Sequence, residues 1–313
     1  MLDFDKTTLR LQSETLFEEI LSDDNILLAI SQSLHNKSND SKCHYTTFQL
    51  FLNDILSLIK ENIYAPDIFY KEFYIFDRKY RHIIAPQNFN SLIQRCIYNV
   101  ISNEFFNIFS RNVYSCIPNR SAQLANIELS QKVKNVNKNY YYLKTDFHNF
   151  FGSINSFKLY DKLHESIGDT RVLNLLSQFI FKGKRSCGIP FGNLLSQIFG
   201  NFYVNDLDKI LEKQCQIYSR FADDIILIDE LSVLKRLENI IQDYCKEHNL
   251  KFSYIVYNKI KSGFKFCGWN HRLEFSTLDS RHNQTKNDKE TYNRINLHNF
   301  SKNEITKTYS TIL

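Results

Sequence analysis

Apolar positions along the first 140 residues follow two patterns, one typical of helices and one typical of strands. Four segments have the three- and four-residue spacing that predicts helices: 13–34, 45–64, 89–111 and 121–136. The polar run "NKSNDSK" (36–42) separates the first two and predicts a loop. Residues 69–84, "FYKEFYIFDRKYRHII", instead predict strands that carry a basic stripe.

The pattern changes at residue 140. "YYYLKTDF" (140–147) is a β-prone run, and a helix is predicted to begin at Ser156 as its N-cap. The later segments predict a helix at 194–211, a hairpin at 218–228, a helix at 233–248 and short strands at 250–257 and 264–269. Strand, helix, hairpin, helix and strand in this order predict an α+β fold with a ferredoxin-like (split βαβ) antiparallel sheet and helices on one face. The polar tail after Phe275 predicts one helix at most.

Composition restricts the class of protein without choosing a function. The chain of 313 residues is 43% hydrophobic and 23% charged, as in soluble globular proteins, and its net charge of +5 permits a nucleic-acid partner. Seven cysteines without a CxxC pair argue against a disulfide framework and against a zinc site, and fit a reducing cytosol. The N-terminus is amphipathic and acidic, without the pattern of a signal peptide, and no apolar run could span a bilayer. We therefore expect a cytoplasmic protein without a membrane partner.

Three acidic residues interrupt β-prone runs. Asp223 and Asp224 lie between Phe221 and the apolar run 225–228, where the ordinary interpretation is a solvated hairpin turn. Asp146 ends the strand at 140–147, where the ordinary interpretation is a cap on the next turn. In the predicted sheet, however, these acids lie on neighbouring central strands. Two Mg²⁺ ions roughly 3.5–4 Å apart would relieve their repulsion, which is a common arrangement for in-line phosphoryl transfer.

Half of the glycines lie in one stretch. Four of eight, at positions 183, 188, 192 and 200, fall within or beside "GKRSCGIPFGNLLSQ" (183–197). The backbone here either bends sharply or lets a ligand approach closely, and it leads directly into a helix start suited to a nucleotide. An ordinary tight turn is the alternative interpretation.

Taken in order, these segments resemble motifs A, B and C of the reverse transcriptase palm. Asp146 matches the motif A aspartate, "GIPFGNLLSQIFGN" resembles motif B, and "FADD" resembles the Tyr-x-Asp-Asp box. "DRKYRHIIAP" (77–86), "SLIQRCIYNVI" and "YSCIPNRSA" are similar to the fingers segments of the same family, and "GFKFCGW" (263–269) to its primer-grip strand. The resemblance covers roughly residues 70–270.

The resemblance implies a right-hand polymerase fold with helical and β fingers and a reduced thumb. It assigns 1–65 to an N-terminal helical extension, 66–139 to fingers and 140–262 to the palm with its motif B loop at 183–200. Residues 263–313 would form the primer-grip strand and a short thumb or tail. Because this tail is short, we expect a structured RNA, another subunit or a homo-oligomer to help hold the template and primer.

The resemblance also implies roles for individual residues. Asp146 and Asp223 would be metal ligands, Asp224 a partial or indirect one, and the Phe147 carbonyl a further ligand, with two Mg²⁺ ions that Mn²⁺ could replace. The residues expected to contact the nucleotide are Lys79, Arg81, Phe147, Phe151 as sugar gate, Phe191 and Gly192. Those expected to contact template and primer are Gly188, Pro190, Ser196, the motif D lysine Lys259 and Gly268. On their own, the basic run 77–81 would read as a solvated face and Phe151 as core.

Motif B also suggests a subgroup. Gly-x-Pro-x-Gly-Asn followed by Ser-Gln resembles bacterial reverse transcriptases of diversity-generating retroelements and of the related defence-associated groups. This implies DNA synthesis on a dedicated noncoding RNA, with a role in anti-phage defence. Phe191 stands where many relatives carry Gln, and Phe221 where Tyr is common, but neither change removes a metal ligand.

Two other functions stay open at this point. The same site could add nucleotides without a template or from a protein primer. Alternatively, the chain could be a non-catalytic RNA-binding scaffold that keeps the fold. The three aspartates argue against the scaffold, because mutually repelling acids are costly without a bound cation.

Overall fold

The computed structural model has a mixed α+β fold and describes residues 11, 13–35, 52–64, 68–77, 79–181, 187–274 and 276–278. The chain divides into two compact units, neither of which is one continuous segment. The first unit comprises Met1–Ser110, Phe147–Ile210 and Ile241–Lys251, and the second comprises Arg111–Asp146, Leu211–Ile240 and Phe252–Leu313. The α+β class predicted from the sequence is confirmed.

The helices lie close to the predicted segments. Their bounds are α1 Leu16–Leu21, α2 Asp23–His35, α3 Leu52–Tyr64, α4 Asn88–Ile108, α5 Ala122–Lys134, α6 Phe150–Ser153, α7 Ser156–Ser166, α8 Thr170–Ile180, α9 Leu194–Tyr203, α10 Asn205–Gln214 and α11 Leu231–Glu247. The single helix predicted at 13–34 is wrong in one respect, because Ser22 has an extended ψ of 141° and separates α1 from α2. Likewise, Val204 separates α9 from α10 within the predicted helix 194–211.

Two local predictions between residues 155 and 180 need correction. Ser156 is the first residue of α7 and not its cap; the N-cap is Asn155, whose side chain accepts hydrogen bonds from the N–H groups of Phe157 and Lys158. Helix α8 was not predicted, although Asp169 caps it by accepting from the Arg171 N–H at 3.0 Å. The Asp before an apolar run was the signal that could have revealed this helix.

The first unit contains a two-stranded antiparallel hairpin. Strands β1 (Tyr70–Asp77) and β2 (Lys79–Pro86) pair from Tyr70 opposite Pro86 to Asp77 opposite Lys79. Ile83 in β2 is buried, whereas Phe76 and Tyr80 near the turn are about three-quarters exposed, at 70% and 78%. The hairpin therefore buries one end of its length and leaves the aromatic tip in solvent.

The second unit is built on a four-stranded sheet. Its strands are β3 (Tyr141–Phe147), β4 (Ile217–Phe221), β5 (Asp224–Asp229) and β6 (Phe252–Lys259), in the order β4-β5-β3-β6. Strand β5 pairs with β3 on one side and with β4 on the other, in both cases antiparallel. It is buried from its second residue to its last. The sequence prediction that β3 and β5 are neighbouring central strands is confirmed.

A hydrophobic core lies against this sheet within the second unit. It joins sheet residues to the inner face of α5 and to the segment after β6, and its members include Tyr142, Ile226, Ile228, Leu129, Val133, Ile260 and Phe266. Three short strands follow β6 in an antiparallel sheet: β7 (Phe264–Phe266), β8 (Trp269–His271) and β9 (Ser276–Leu278). The predicted short thumb after this point lies outside the described residues. Among the described residues, no helix is long and apolar enough to cross a membrane.

Candidate active site

Strand register places the predicted acids together in the second unit. Asp146 near the end of β3 is the partner of Asp224 at the start of β5. Asp224 is also the partner of Phe221, so Ala222 and Asp223 form a two-residue turn between β4 and β5. Side chains that face each other across an antiparallel pair have Cβ atoms about 4.5–5.5 Å apart. The three carboxylates therefore occupy one end of the two central strands.

A lysine of β3 lies beside the acid cluster. Lys144, two residues before Asp146 on β3, has its Nζ 3.8 Å from Asp224 Oδ1. Burial raises the pKa of Asp224, the lysine charge lowers it, and repulsion from Asp223 and Asp146 raises it further, so that the net direction is upward. The same three acids add to the effect of burial in raising the pKa of Tyr254 on β6 to about 12.

The arrangement fits a divalent cation that brings further ligands with it. Asp146 Oδ1 is buried and has no hydrogen-bond partner among the described residues. Within the same part of the chain, no group of three or more His, Cys, Asp or Glu side chains is already arranged to hold a metal. Mg²⁺ rarely uses an all-protein cage, however, and is usually bound by one or two carboxylates together with water and phosphate oxygens. An unpartnered buried carboxylate oxygen beside two further acids meets that requirement.

A row of aromatic rings in the first unit contains the predicted sugar gate. Phe147 stacks on Phe150 with ring centroids 5.1 Å apart, Phe150 lies 5.4 Å from Phe151, and Phe151 lies 5.4 Å from Phe191. The Arg81 guanidinium carbon lies 5.9 Å from the centre of the Phe191 ring. Phe147 and Phe150 are buried, whereas Phe151 and Phe191 are partly exposed. The structure thus brings together four residues predicted to bind nucleotide.

Backbone hydrogen bonds fix the glycine-containing loop before α9. The Gly188 N–H donates to the Ile154 carbonyl at 2.7 Å, and the Ile189 N–H donates to the Phe151 carbonyl at 2.9 Å. In β2, the Ile84 N–H donates to the Phe191 carbonyl at 2.7 Å. The loop is therefore bonded to both the gate segment and the hairpin of its own unit.

Two of the glycines have conformations that explain their identity. Gly188 and Gly192 have φ values of +87° and +107°. A Cβ at position 192 would lie 2.6 Å from Ile83 Cγ2, which is closer than real Cβ atoms come. Pro190 between them is buried. Close approach to β2 as well as left-handed backbone thus requires glycine at 192.

Helix α9 begins with a buried polar group. Asn193 caps the helix by accepting from the N–H groups of Leu195 and Ser196. Ser196 is 2% exposed, and its hydroxyl has no hydrogen-bond partner among the described residues. A buried hydroxyl without a partner is costly, so the predicted contact of Ser196 with template or primer stays a prediction that this hydroxyl could serve.

The structure separates Lys259 from the acids. The N–H of Ile260, which follows it, donates to the carbonyl of Tyr140 at the start of β3, six residues from Asp146. This places the exposed Lys259 backbone about 20 Å from Asp146 along the strand. Strand β6 thus places Lys259 at the opposite end of the sheet from Asp146, and the predicted contact of this motif D lysine with template or primer stays a prediction. Lys251, just before β6, has its carbonyl 2.7 Å from the His148 N–H within the first unit.

The remaining predicted residues are placed as follows. Gly268 has φ of +80° in the β7–β8 turn next to Cys267, whose pKa is raised by burial and then by Asp224. This turn therefore lies within electrostatic reach of the acids in the second unit. The Lys79 side chain and Gly183 lie outside the described part of the chain.

Some residues of the site were missed by sequence reasoning. Lys144 could have been found from its position two residues before Asp146, since residues i and i+2 of a strand share a face. Ser115 and Arg220 gave no comparable signal, because Ser115 meets the turn at Ala222 from 107 residues away in the chain.

Comparison with known proteins agrees with the site. The family model described as reverse transcriptase (RNA-dependent DNA polymerase) matches residues 66–271. The chain belongs to this family. The comparison with curated proteins found no match. The family match includes all three aspartates and the full motif B loop.

The chain is also similar in fold to telomerase structures. Apo telomerase from Candida tropicalis matches with a TM-score of 0.50 and 15% identity over 67% of this chain and 48% of that one. Telomerase from Candida albicans, in complex with a TWJ fragment of telomeric RNA, matches with a TM-score of 0.50 and 14% identity over 76% of this chain and 51% of that one. This chain thus spans about half the length of the telomerase chains. At such identities the similarity concerns the fold.

Proposed function

We propose that this reverse transcriptase-family chain is an RNA-directed DNA polymerase. A primer hydroxyl would attack the α-phosphate of a dNTP, so that a new phosphodiester bond forms and pyrophosphate leaves. The observation that carries the proposal is the register pairing of Asp146 with Asp224, with Asp223 in the adjoining turn, in a chain whose family model covers 66–271. Three acids at the end of two central strands suit phosphoryl transfer better than structural capping, because they are clustered and the buried Asp146 Oδ1 accepts no hydrogen bond from the described residues.

The acids have separable roles. Asp146 and Asp223 would hold divalent cation, and the Phe147 carbonyl, next along the chain from Asp146, is a proposed further ligand. Asp224 is already paired with Lys144 at 3.8 Å and would contribute indirectly. Bound cations, for which we propose two Mg²⁺ ions with Mn²⁺ as a substitute, would supply charge neutralisation and Lewis acidity at the phosphates.

The first unit would bind the nucleotide. Arg81 offers a planar guanidinium that can bond two phosphate oxygens, with Lys79 as a second cation. Phe191 beside Arg81 would present a stacking surface in place of the Gln common in relatives. Phe151 would exclude a 2′-hydroxyl sterically. Gly188, Gly192, Pro190 and Ser196 would shape the template side of this loop. Because both sets of residues match motifs of one family, we assign them to one reaction.

The proposal also includes the partners of the enzyme and its biological role. The resemblance of motif B to bacterial defence-associated groups supports a cytoplasmic enzyme that copies a structured noncoding RNA during anti-phage defence. The division into a helical extension, fingers, palm and primer grip at 1–65, 66–139, 140–262 and 263–313 is part of the same proposal. A second subunit or a further copy of the chain would help to hold the DNA product.

A primer-extension assay tests the activity. Purified protein is given a DNA primer annealed to an RNA template, labelled dNTPs and Mg²⁺, and is compared with Asp223→Asn and with Glu230→Gln. Both variants replace a carboxylate with its amide, but Glu230 lies just after β5 and is exposed. We expect Asp223→Asn to lose more than a hundredfold in rate and Glu230→Gln to keep it. Equal extension by wild type and Asp223→Asn would reject the site.

Omission controls separate the alternatives. Incorporation without RNA would indicate template-independent addition, and label retained on the denatured protein would indicate a protein primer. No incorporation on any template, with RNA binding intact in both variants, would favour the non-catalytic scaffold. Sequencing the nucleic acid that co-purifies with the protein, together with the identity of the neighbouring genes, tests the RNA partner and the defence role.

A further inference from the structure

The turn that carries Asp223 has an unusual backbone. Ala222 has φ of +55°, whereas Asp223 is not among the described residues with positive φ. This combination of signs in a two-residue hairpin turn is that of type II′, whose first position normally takes glycine. An alanine in the left-handed region is strained by its Cβ, so the surrounding structure must hold it there.

Two side chains hold the backbone of Ala222 from both ends. The Ala222 N–H donates to Ser115 Oγ at 2.8 Å. Arg220 Nη1 donates to the Ala222 carbonyl at 2.7 Å. Ser115 is 3% exposed and Arg220 is fully buried, so water does not compete for either hydrogen bond.

The segment that supplies Ser115 is itself fixed against β4. The Arg220 N–H donates to the Asn112 carbonyl at 2.9 Å, and the Tyr114 N–H donates to the Arg220 carbonyl at 3.0 Å. Val113 thereby forms a parallel bridge with Arg220. These bonds set the position of Ser115 relative to the turn, and all of them lie within the second unit.

From this geometry we propose that Ser115 and Arg220 are positioning residues that hold Ala222 left-handed and so aim the Asp223 carboxylate. The inference rests on the proposed function in that Asp223 is taken as a metal ligand. Neither residue touches the reacting atoms. Their effect passes through one peptide unit, because a change of φ at Ala222 rotates the chain that carries Asp223.

Glycine at position 222 provides the test. Glycine adopts a positive φ without a Cβ penalty, so it reduces the need for the two hydrogen bonds. We compare Ser115→Ala alone, Ser115→Ala with Ala222→Gly, and Ser130→Ala as a matched control. Ser130 is also a buried serine of the second unit, at 3% exposure, but it bonds to Ser276 at 2.7 Å and not to the turn.

The measurements are the rate of dNTP incorporation at saturating substrate, the dNTP KM, Mn²⁺ binding by electron paramagnetic resonance, and the Tm. We expect Ser115→Ala to lower the incorporation rate about tenfold with unchanged KM, in keeping with the loss of one buried hydrogen bond. The same serine change should cost less than threefold when glycine occupies 222. Ser130→Ala should lower the Tm and leave the rate unchanged.

Arg220 is tested by a graded pair, Arg220→Lys and Arg220→Met. Lysine keeps the positive charge and a donor for the Ala222 carbonyl. We therefore expect the incorporation rate of Arg220→Lys, per folded molecule, to lie between the rates of wild type and Arg220→Met. Arg220→Met could lose stability as well, and the Ser115 variants decide the proposal if it does not fold.

Several outcomes would overturn the proposal. One is a Ser115→Ala enzyme as fast as wild type, and another is an undiminished tenfold loss in the Ala222→Gly background. If wild type itself incorporates no dNTP, the proposed function fails and Mn²⁺ binding decides the positioning role. Weaker binding in Ser115→Ala that is restored by Ala222→Gly supports the role, and equal binding in all variants rejects it.

Discussion

Lys144 Nζ lies 3.8 Å from Asp224 Oδ1, which pairs a lysine of β3 with the acid at the start of β5. The two side chains are 21% and 34% exposed, so the pair is only partly shielded from water. Lysine therefore balances one of three neighbouring carboxylates. Asp146 Oδ1, on the same strand as Lys144, is buried and has no hydrogen-bond partner among the described residues.

Replacing Lys144 tests this division of roles. Lys144→Met leaves Asp224 without its cation, so the free energy of unfolding in chelated buffer should fall by about 1 kcal/mol or less, as for a partly exposed pair. Mg²⁺ should then raise the Tm more in this variant than in wild type, because a bound cation replaces the missing lysine charge. Lys144→Arg is the control and should behave as wild type in thermal melts with and without Mg²⁺. An identical Mg²⁺ response in Lys144→Met would contradict the assignment.

Gly200 sets the space available to the proposed sugar gate. A Cβ at this position in α9 would lie 3.2 Å from Phe151 Cε1 and 3.3 Å from Phe150 Cε1. Gly200→Ala gains about 1 kcal/mol of helix propensity, but the added methyl costs about 1–3 kcal/mol unless the rings move. We expect Phe151 to shift and the ratio of kcat/KM for dNTP over rNTP to change several-fold, at nearly unchanged Tm.

The direction of that change is checked against Phe151→Ala. Removing the ring should reduce discrimination against rNTPs, whereas Gly200→Ala pushes the ring toward the nucleotide and should lower dNTP use as well. A nucleotide preference that neither variant alters would reject Phe151 as the gate.

Arg81 is predicted to bind the triphosphate. Arg81→Ala should raise the dNTP KM about tenfold, the equivalent of about 1.4 kcal/mol, and the rise should shrink at high salt because the contact is electrostatic. Arg81→Lys should recover part of the loss. Lys71→Ala is a matched control: its Nζ lies 5.9 Å from the Phe73 ring on the same hairpin, as Arg81 lies 5.9 Å from Phe191. A similar rise in KM for Lys71→Ala would point to general charge instead of a specific contact.

His271 predicts how stability depends on pH. Burial lowers the pKa of His271 to about 3, and its named partners Asn126, Ser130 and Ser276 are all uncharged. The folded pKa is below the unfolded value of about 6.5. The contribution of neutral His271 to the free energy of unfolding is therefore fully present above pH 6.5. It is lost as the pH falls from 6.5 toward 3, at about 1.4 kcal/mol per pH unit.

Denaturant unfolding at pH 7.5, 6.5 and 5.5 measures this slope. His271→Asn should be less stable at pH 7.5 but should lose less on acidification, because the titrating group is gone. His148→Gln, which removes an exposed histidine, should keep the wild-type slope. Equal slopes for wild type and His271→Asn would show that other groups control the acid response.

The order of the motifs and the central strands could be predicted from the sequence because each depends on short-range information. An apolar run after Asp224 requires a buried strand, and an acid at the end of 140–147 requires a strand end. By contrast, the cap of α7 is Asn155 and not Ser156. Which of these two adjacent polar side chains would accept hydrogen bonds from the N–H groups of the first turn could not be predicted from the sequence. The break at Ser22 had a local signal that helical spacing does not reveal, because the Asn25 N–H donates to Ser22 Oγ at 3.3 Å, as at a helix N-cap.

The sequence alone determined that Asp146 lies near the end of one β-prone run and that Asp223 and Asp224 lie at the bend of another, since both are properties of local patterns. Only the tertiary structure decided which other groups meet them. Ser115 reaches Ala222 from 107 residues away, and Lys259 runs to the far end of the sheet although it lies close to the palm motifs in the chain. Such pairings arise from the register of strands and from packing between distant segments, and neither is encoded in the spacing of residues within one segment.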